Sequence, residues 1–438
     1  MTEKIYSHFK MNPLVCTDTR SIKAGSIFFA LKGGNFNGNA FARQALERGC
    51  SLAVIDEEEY LPAQDDERYI LVKDVLSSLQ DLANHHRKEL GLPVIAITGS
   101  NGKTTTKELV NAVLGRKYKV LATEGNLNNH IGVPLTLLSI TKDHEMAIIE
   151  MGANHQGEIE MLSKIAEPDF GIITNIGKAH LEGFGGIEGV KKGKGELYRY
   201  IREKKGRLFV HGDDEVLIEL AGSTDKVTYG TKKLYDVVGS LKTGASEFIS
   251  FQWATRYNAV NVKSSELVNS QLVGVYNYYN LLCAACVGNY FKIEDSEINK
   301  ALAEYTPSNN RSQLQKTEHN TLILDYYNAN PSSMSLALDN FAALDHSNKI
   351  AILGDMLELG DESSREHDAI IDQLKARNID NAYLVGPLFT EAGKKANIKT
   401  FPTSDELFEY LKANTPKHTT ILIKGSRGIK LEKVIPAL

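Results

Sequence analysis

The chain has 438 residues, more than one hydrophobic core usually organises, and a prior of ~150 residues per domain favours about three domains. Its net charge of −5 and the mixing of its lysines with acidic residues argue against a nucleic-acid-binding surface. No apolar run approaches the ~20 residues that span a bilayer, and residues 1–11 lack the apolar core of a signal peptide. We therefore expect a cytoplasmic enzyme that is not inserted in a membrane.

The first predicted unit, residues 1–90, alternates short apolar runs with helical patterns. Its turn-rich stretch 32–39 is of the kind in which backbone groups contact ligands, although a plain connector explains it equally well. The Gly91-Leu92-Pro93 sequence then favours a domain boundary, because proline disfavours helix in the residue before it. Strands are predicted at 15–20, 26–31, 52–55 and 69–72, and helices at 40–48 and 75–90.

Residues 94–106 predict a strand, a phosphate-binding loop and the start of a helix. Glycines let backbone amides approach phosphate oxygens, Lys103 can bridge the outer phosphates, and Thr104 can hold magnesium. The usual pattern has glycine where this chain has Ile97, so a chance turn is the alternative. The flanking strand and helix favour ATP or GTP binding. The predicted loop residues are Gly99, Ser100, Asn101, Gly102, Lys103, Thr104 and Thr105.

Two further strands of the middle unit lead to residues that can hold a metal ion. The strand 146–150 ends at Glu150, and the strand beginning at 170 leads to His180. Because the carboxyl ends of parallel strands share the edge where a phosphate loop lies, Glu150 is placed to hold magnesium. A buried, unpaired carboxylate would be costly, which weakens a purely structural role for Glu150. A lone histidine is more often structural, but His180 could bind a second metal.

Weaker signals surround these strands. The asparagine-rich stretch 123–134 includes Asn128 and Asn129, whose amides could orient a polar substrate. The helix predicted at 187–201 carries three lysines, Lys191, Lys192 and Lys194, and the sequence leaves open which of them faces the site.

The remainder of the middle unit, up to residue 308, changes pattern. Short alternating segments over 227–273 predict an antiparallel appendage beside the parallel sheet, followed by helices at 277–289 and 295–304. Cys283 and Cys286 lie within the first of these helices, where buried packing is favoured over metal or redox chemistry.

Residues 309–438 alternate strands and helices, which predicts a mostly parallel sheet covered on both faces. Strands are predicted at 321–325, 349–353, 382–385 and 420–423, and helices at 334–344, 363–376, 405–413 and 429–435. No Gly-x-Gly-x-x-Gly follows the first strand, so no dinucleotide cofactor is expected. The predicted fold is α/β with three domains: a small α/β domain (1–90), a central phosphate-loop domain with a parallel sheet (91–308) and a Rossmann-like domain (309–438).

Together these motifs resemble the Mur ligase family of bacterial cell-wall synthesis over essentially the whole chain. The phosphate loop has that family's shorter glycine spacing, which accounts for Ile97. Stretches 125–129, 325–331, 353–360 and 424–427 are similar to the family member that adds the last dipeptide, and 17–20 and 25–33 resemble its uridine-nucleotide module. The resemblance implies an ATP-dependent ligase that adds D-alanyl-D-alanine to UDP-N-acetylmuramoyl-tripeptide and forms ADP and phosphate.

The resemblance also implies residue roles. Lys103, Glu150, His180 and Lys194 would form the catalytic set, with Thr104, Glu150, His180 and a carbamylated Lys194 holding two Mg²⁺ ions. The implied nucleotide contacts beyond the loop are Asn277, Asn280, Arg311 and Asp325. The implied substrate-binding residues are Thr19, Arg20, Lys32, Gly33, Asn128, Asn129, Asn328, Asn330, Lys424, Ser426 and Arg427.

The chain departs from the family at Asn37-Gly38-Asn39, where Asp-Gly-His is common, and at Tyr276, where histidine is common. The expected partners are the small-molecule substrates, and the enzyme is expected to be a monomer.

Two other functions remain as alternatives. One is another carboxylate–amine ligase, such as a different Mur-type or a folylpolyglutamate synthase-like enzyme. The other is a non-catalytic ATP-binding scaffold, which would have no need of the complete catalytic set.

Overall fold

The computed structural model describes residues 1–242, 247–255, 266–346 and 348–438. Their strands form three main sheets and one two-stranded hairpin, and each main sheet lies within one predicted unit. The predicted α/β architecture is confirmed, while the unit boundaries stay a prediction. Within the described ranges, no helix is both long and apolar enough to cross a bilayer.

The first unit is built on a parallel sheet. Two of its helices pack against each other, and one of them was not predicted. In chain order its elements are α1 (Thr2–Met11), β1 (Val15–Cys16), β2 (Ile27–Phe29), β3 (Lys32–Gly33), β4 (Phe36–Asn37), α2 (Ala42–Glu47), β5 (Leu52–Ile55), β6 (Tyr69–Leu71) and α3 (Val75–Leu90). The sheet order is β1-β2-β5-β6. The helix α1 was not predicted because its sequence is polar overall. It buries Ile5, Tyr6 and Phe9 and contacts α3.

Two predictions for the first unit need correction. The strand predicted at 15–20 ends at Cys16, because the Asp18 side chain accepts a hydrogen bond from the Arg20 amide and caps a 3-10 turn over Thr19–Ser21. The stretch predicted as a loop at 32–39 contains the hairpin of β3 and β4.

The middle unit is a large sheet with helices packed on it. In chain order its elements are β7 (Val94–Thr98), α4 (Lys103–Leu114), β8 (Val120–Ala122), α5 (Gly132–Leu138), β9 (Met146–Glu150), α6 (Glu158–Ala166), β10 (Phe170–Ile173), α7 (Leu181–Phe184), α8 (Ile187–Glu203), β11 (Arg207–His211), α9 (Glu215–Ala221), β12 (Lys226–Gly230), β13 (Val237–Lys242), β14 (Phe248–Thr255), β15 (Val268–Val273), α10 (Tyr278–Tyr290) and α11 (Asp295–Glu304). Cys283 and Cys286 are buried in α10 and form no disulfide, as the helix-packing interpretation predicted.

The order of this sheet places the phosphate loop. The described strands run β15-β14-β13-β12-β11-β10-β7-β9-β8, parallel from β8 to β13 and antiparallel from β13 to β15. The predicted antiparallel appendage is therefore a continuation of the parallel sheet; residues 243–246 and 256–265 of that stretch lie outside the described residues. The strand β7 lies between β10 and β9, where the chain order reverses, which is the usual place for a ligand crevice.

The third unit is a six-stranded sheet that is parallel except at β16. In chain order its elements are β16 (Gln313–Lys316), β17 (Asn320–Asp325), α12 (Pro331–Ala343), β18 (Lys349–Gly354), α13 (Ser363–Ala376), β19 (Ala382–Val385), α14 (Pro387–Lys395), β20 (Lys399–Phe401), α15 (Ser404–Ala413) and β21 (Thr419–Lys424). The order is β16-β17-β21-β18-β19-β20. The elements β16, α14 and β20 were not predicted, and the helix predicted at 429–435 consists of 3-10 turns over Arg427–Ile429 and Leu431–Ala437.

Candidate active site

A cleft of about 440 Å³ lies between the middle and third units, where the carboxyl ends of β7 and β9 face those of β17 and β21. It therefore collects residues that the sequence predicted on both units. The predicted residues that line it are Ser100, Asn101, Gly102, Lys103, Thr105, Asn128, Asn129, Glu150, His180, Asn277, Asn280, Arg311, Asp325, Asn328, Asn330 and Lys424.

The other predicted site residues do not line this cleft. Those of the middle and third units are Gly99, Thr104, Lys194, Ser426 and Arg427, and those of the first unit are Thr19, Arg20, Lys32 and Gly33. Thr19 and Arg20 lie in the capped turn, and Lys32 and Gly33 form β3. Their substrate contacts stay predictions.

The phosphate loop is held tightly by its glycines. Gly99 and Gly102 have φ values of 140° and 78°, which favour glycine. A Cβ on Gly99 would lie 2.0 Å from the Thr174 hydroxyl, and one on Gly102 would lie 2.9 Å from Asn280 Oδ1. The loop leads into α4, which begins at Lys103, so the free amides of the helix start point toward the cleft and favour an anion there.

Lys103 follows the glycines of this loop and is the first residue of α4. Its Nζ donates to the carbonyl oxygens of Gly99 at 2.6 Å and Ser100 at 3.2 Å. Burial lowers the pKa of Lys103 to about 8; the nearby Glu150 carboxylate opposes this shift, and Arg311 adds to it. A cation that is poorly solvated by water is suited to an anionic ligand, because the ligand's charge replaces the missing solvation.

Glu150 ends β9 and is 2% exposed. Its Oε1 accepts a hydrogen bond from Asn128 Nδ2 at 2.8 Å, whereas its buried Oε2 has no hydrogen-bond partner among the described residues. An unpaired buried carboxylate oxygen is costly and is suited to a cation. No three His, Cys, Asp or Glu side chains converge as a preformed metal centre in the part of the chain that the structure describes. Mg²⁺ commonly takes one or two carboxylates together with phosphates and water, so Glu150 fits that ion.

The structure separates the three lysines of α8. Lys194 is 1% exposed, donates to the Ala153 carbonyl at 3.1 Å, and lies 5.0 Å from the centre of the Phe184 ring. Burial, with the charge of Lys103 as a second cause, lowers the pKa of Lys194 well below its ordinary value. Lys191 pairs with Glu219 at 2.8 Å, and Lys192 is exposed. Lys194 is therefore the buried lysine of α8, and it lies behind the cleft wall at Ala153.

His180 faces a residue that the sequence did not single out. It has a φ of 53° before α7, and its Nδ1 lies 2.5 Å from Glu358 Oε2 of the third unit. The close contact with His180 lowers the pKa of the Glu358 carboxyl, whose side chain is about half-exposed. Glu358 lies within the motif-bearing stretch 353–360, but its approach to His180 depends on how the two units dock.

The end of the cleft at the start of α10 is a connected amide cluster. Asn277 Nδ2 donates to Val273 O at 2.9 Å and Ser312 Oγ at 2.8 Å, and Asn280 Nδ2 donates to Asn277 Oδ1 at 2.9 Å. These contacts fix the orientation of both amides. The cluster thus joins the start of α10 to the first residues of the third unit.

The third-unit wall contains a buried ion pair and a stacked arginine. Lys424 Nζ donates to Asp325 Oδ2 at 2.6 Å, because β17 and β21 are neighbours and these two residues are in register. The Arg311 guanidinium lies 3.8 Å from the centre of the Tyr327 ring, within cation–π distance. Tyr327, Asn126 and Glu158 also line the cleft but were not singled out; the composition of 123–134 and 325–331 was a signal for the first two, whereas no motif marked Glu158.

Comparison with known proteins identifies the family. The chain matches models described as Mur ligase family, catalytic domain (residues 14–87), Mur ligase middle domain (97–288) and Mur ligase, glutamate ligase domain (310–427). It is 35% identical to the UDP-N-acetylmuramoyl-tripeptide--D-alanyl-D-alanine ligase of Bacillus subtilis over 97% of this chain and 92% of that protein. The Escherichia coli ligase of the same name is 33% identical, over 97% of this chain and 93% of that protein.

Solved structures agree. MurF from Acinetobacter baumannii has a TM-score of 0.86 at 32% identity, with 96% of this chain and 92% of that chain covered. The Thermotoga maritima MurF ligase in complex with ADP has a TM-score of 0.83 at 24% identity, covering 97% of this chain and 96% of that chain, which shows a shared fold. Since these similarities extend over nearly the full length, the chain belongs to the Mur ligase family.

Proposed function

We propose that this protein is an ATP-dependent ligase that joins D-alanyl-D-alanine to UDP-N-acetylmuramoyl-tripeptide in peptidoglycan precursor synthesis. The observation that supports this most is the single cleft in which the phosphate loop faces the polar ends of β17 and β21. Two anionic substrates and one amine must meet, and this cleft offers cations and amide groups from two units. The relatives that carry this activity in their names match nearly the whole chain.

The nucleotide binds along the middle unit. Its phosphates contact the amides of residues 100–105 and Lys103, and its base lies toward Asn277 and Asn280, with Arg311 and Asp325 contributing from across the unit boundary.

In the first step, a carboxylate oxygen of the tripeptide attacks the γ-phosphorus of ATP, and the bond to the bridging oxygen of ADP breaks. The products are an acyl phosphate and ADP. Lys103 offsets negative charge as these two anions meet, an electrostatic contribution that typically amounts to about 3 kcal/mol for one donor.

The second step forms the amide bond. The amine nitrogen of D-alanyl-D-alanine attacks the acyl carbon, and a tetrahedral intermediate forms. The carbon–oxygen bond to phosphate then breaks, the nitrogen loses its proton, and inorganic phosphate leaves. Asn328, Asn330, Lys424, Ser426 and Arg427 are proposed to hold the dipeptide on the third unit.

Glu150, His180 and the Thr104 hydroxyl are the residues proposed to hold Mg²⁺. The bound ions neutralise phosphate charge during transfer. Support for this set comes from the buried Oε2 of Glu150, which has no hydrogen-bond partner among the described residues. Lys194 is proposed to carry a carbamate: its amine, in the neutral form, adds to carbon dioxide and releases a proton, which gives an anionic group that would help to hold a metal ion. A carbamate resonance from labelled carbon dioxide that persists in a Lys194→Met variant would contradict this assignment.

The remaining assignments concern the first unit and the state of the protein. Thr19, Arg20, Lys32 and Gly33 are proposed to bind the uridine nucleotide. We also propose that the enzyme is a cytoplasmic monomer.

One assay tests the proposed function against its alternatives. ADP release is measured with UDP-N-acetylmuramoyl-tripeptide and D-alanyl-D-alanine together, with each alone, and with a panel of amino acids and folate acceptors. We expect turnover only with the complete pair. Turnover with a single amino acid would favour a different Mur-type or folylpolyglutamate synthase-like ligase. No turnover with any pair would favour the ATP-binding scaffold.

A further inference from the structure

Residues 174–182, which we call the bridging segment, follow β10 and contact both the phosphate loop and the third unit. We infer that Lys178 of this segment is a positioning residue that seats the third unit over the phosphate loop through its pair with Glu366. The inference rests on the proposed function, since it states how one residue supports that reaction without touching the substrates.

On its first side the bridging segment is tied to the phosphate loop. Thr174 Oγ1 and Asn175 Nδ2 donate to Asn101 O at 2.6 Å and 3.0 Å, and the Asn101 amide donates to Asn175 Oδ1 at 3.0 Å. Ser100 Oγ donates to Gly177 O at 3.0 Å and accepts from the Gly177 amide at 2.9 Å. A shift of the bridging segment would therefore move the loop's own backbone.

On its second side the bridging segment meets the third unit through Lys178. Its Nζ donates to Glu366 Oε1 on α13 at 2.6 Å, and its amide donates to Ser332 Oγ at the start of α12 at 2.9 Å. One residue thus contacts two helices of the third unit. The approach of Glu358 to His180, described above, is next to this contact in sequence.

Burial makes the pair with Glu366 more consequential than an ordinary surface pair. The Glu366 side chain is only 5% exposed, whereas that of Lys178 is 47% exposed. Among the residues that the structure describes, the other basic side chain paired with Glu366 is that of Arg365, the preceding residue, at 3.3 Å. Exposed ion pairs contribute little, but removal of one partner from a buried carboxylate is strongly unfavourable. Without Lys178 the seated arrangement loses stability, because the ion pair that joins the bridging segment to the buried Glu366 carboxylate of the third unit is gone.

The kinetic test uses three variants: Lys178→Met, Glu366→Gln and the double variant. We expect each single variant to reduce kcat by about fivefold or more, the size of a coupling of about 1 kcal/mol, and the double variant to be no worse than either single variant. Lys164→Met is the matched control, because Lys164 pairs with Glu160 at the same 2.6 Å distance but within α6. Additive losses, or an equal loss in Lys164→Met, would overturn the inference.

A distance measurement tests the seating without any substrate. The four native cysteines are buried, so spin labels can be attached selectively at the exposed positions of Lys142→Cys and Asp372→Cys, one on each unit. We expect Lys178→Met to add a population of longer inter-label distances that Lys164→Met does not add. An unchanged distance distribution would overturn the inference even if the wild-type enzyme is active. An inactive wild-type enzyme would contradict the proposed function instead, while the distances would still decide the role of Lys178.

Discussion

At the scale of single residues, Glu150 lowers the stability of the fold but is suited to binding a cation. One of its oxygens is paired with Asn128 and the other is buried without a partner among the described residues. Such a group lowers stability unless a cation completes it, and residues of this kind are often retained for function.

We therefore expect Glu150→Gln to lower the rate of ADP release by at least ~100-fold, because a neutral amide cannot offset a cation as a carboxylate does. Its thermal midpoint should stay equal to or exceed that of the wild type, since the buried charge is gone. Turnover assays and thermal unfolding of the same preparations measure both effects. Glu160→Gln, at a half-exposed position of α6 that does not line the cleft, is the control that should change neither quantity. Near-normal turnover in Glu150→Gln would contradict the metal role.

Some site residues could be predicted from the local sequence, whereas others depend on contacts between distant parts of the chain. The phosphate loop and Glu150 could be predicted, because a strand and its following turn are local and the parallel edge is a general rule. Glu358 could not be assigned to His180, since the two residues belong to different units and meet only through docking. Residue type and spacing left the three lysines of α8 open, and the family resemblance implied Lys194; the structure shows that Lys194 is the buried one of the three.

At the scale of elements, the start of α12 serves both stability and the site. Asn330 caps this helix, with its Oδ1 accepting from the Ser333 amide at 2.9 Å, while its Nδ2 donates to Asn101 Oδ1 in the phosphate loop at 2.7 Å. One side chain therefore fixes the helix end and bridges the cleft.

Two substitutions separate these roles. Asn330→Ala removes both the cap and the bridge, and we expect it to cost about 1 kcal/mol of unfolding free energy. Asn330→Ser keeps a capping oxygen, so it should cost much less, yet it also lacks the amide donor to Asn101. Both variants should therefore lose turnover to a similar extent, measured by ADP release, while only the alanine variant loses stability in urea unfolding. Full turnover in Asn330→Ser would show that the bridge contributes nothing.

The elements that could be predicted are those whose signals are local. The helices α3, α11 and α13 begin and end where the apolar spacing places them; Asp74 caps α3, and Gly91 ends it with a φ of 64°. Several of the elements that were missed depend on tertiary contacts. The helix α1 is polar overall and is stabilised by its contact with α3, and β16 and β20 are short strands at opposite edges of the third sheet.

At the scale of the whole molecule, the units are joined by specific polar contacts as well as by apolar packing. His86 of α3 carries one such contact between the first and middle units. Its Nε2 lies 2.8 Å from the Ile140 carbonyl, which can only accept, so Nε2 carries the proton and Nδ1 faces the Tyr6 hydroxyl at 3.4 Å. His86 is 7% exposed, and burial lowers its pKa below the ordinary 6.5.

This junction should make the molecule sensitive to acid. Below pH 6.5 the unfolded chain takes up a proton at His86 that the folded chain resists, so the free energy of unfolding falls as the pH drops, by up to about 1.4 kcal/mol per pH unit for each such group. Burial also lowers the pKa of His211 and His367, which adds to the effect. We expect His86→Gln, whose amide can still donate to Ile140 but does not titrate, to flatten the pH dependence of urea unfolding between about pH 7 and pH 5. An unaltered slope in His86→Gln would show that this histidine does not link the junction to pH.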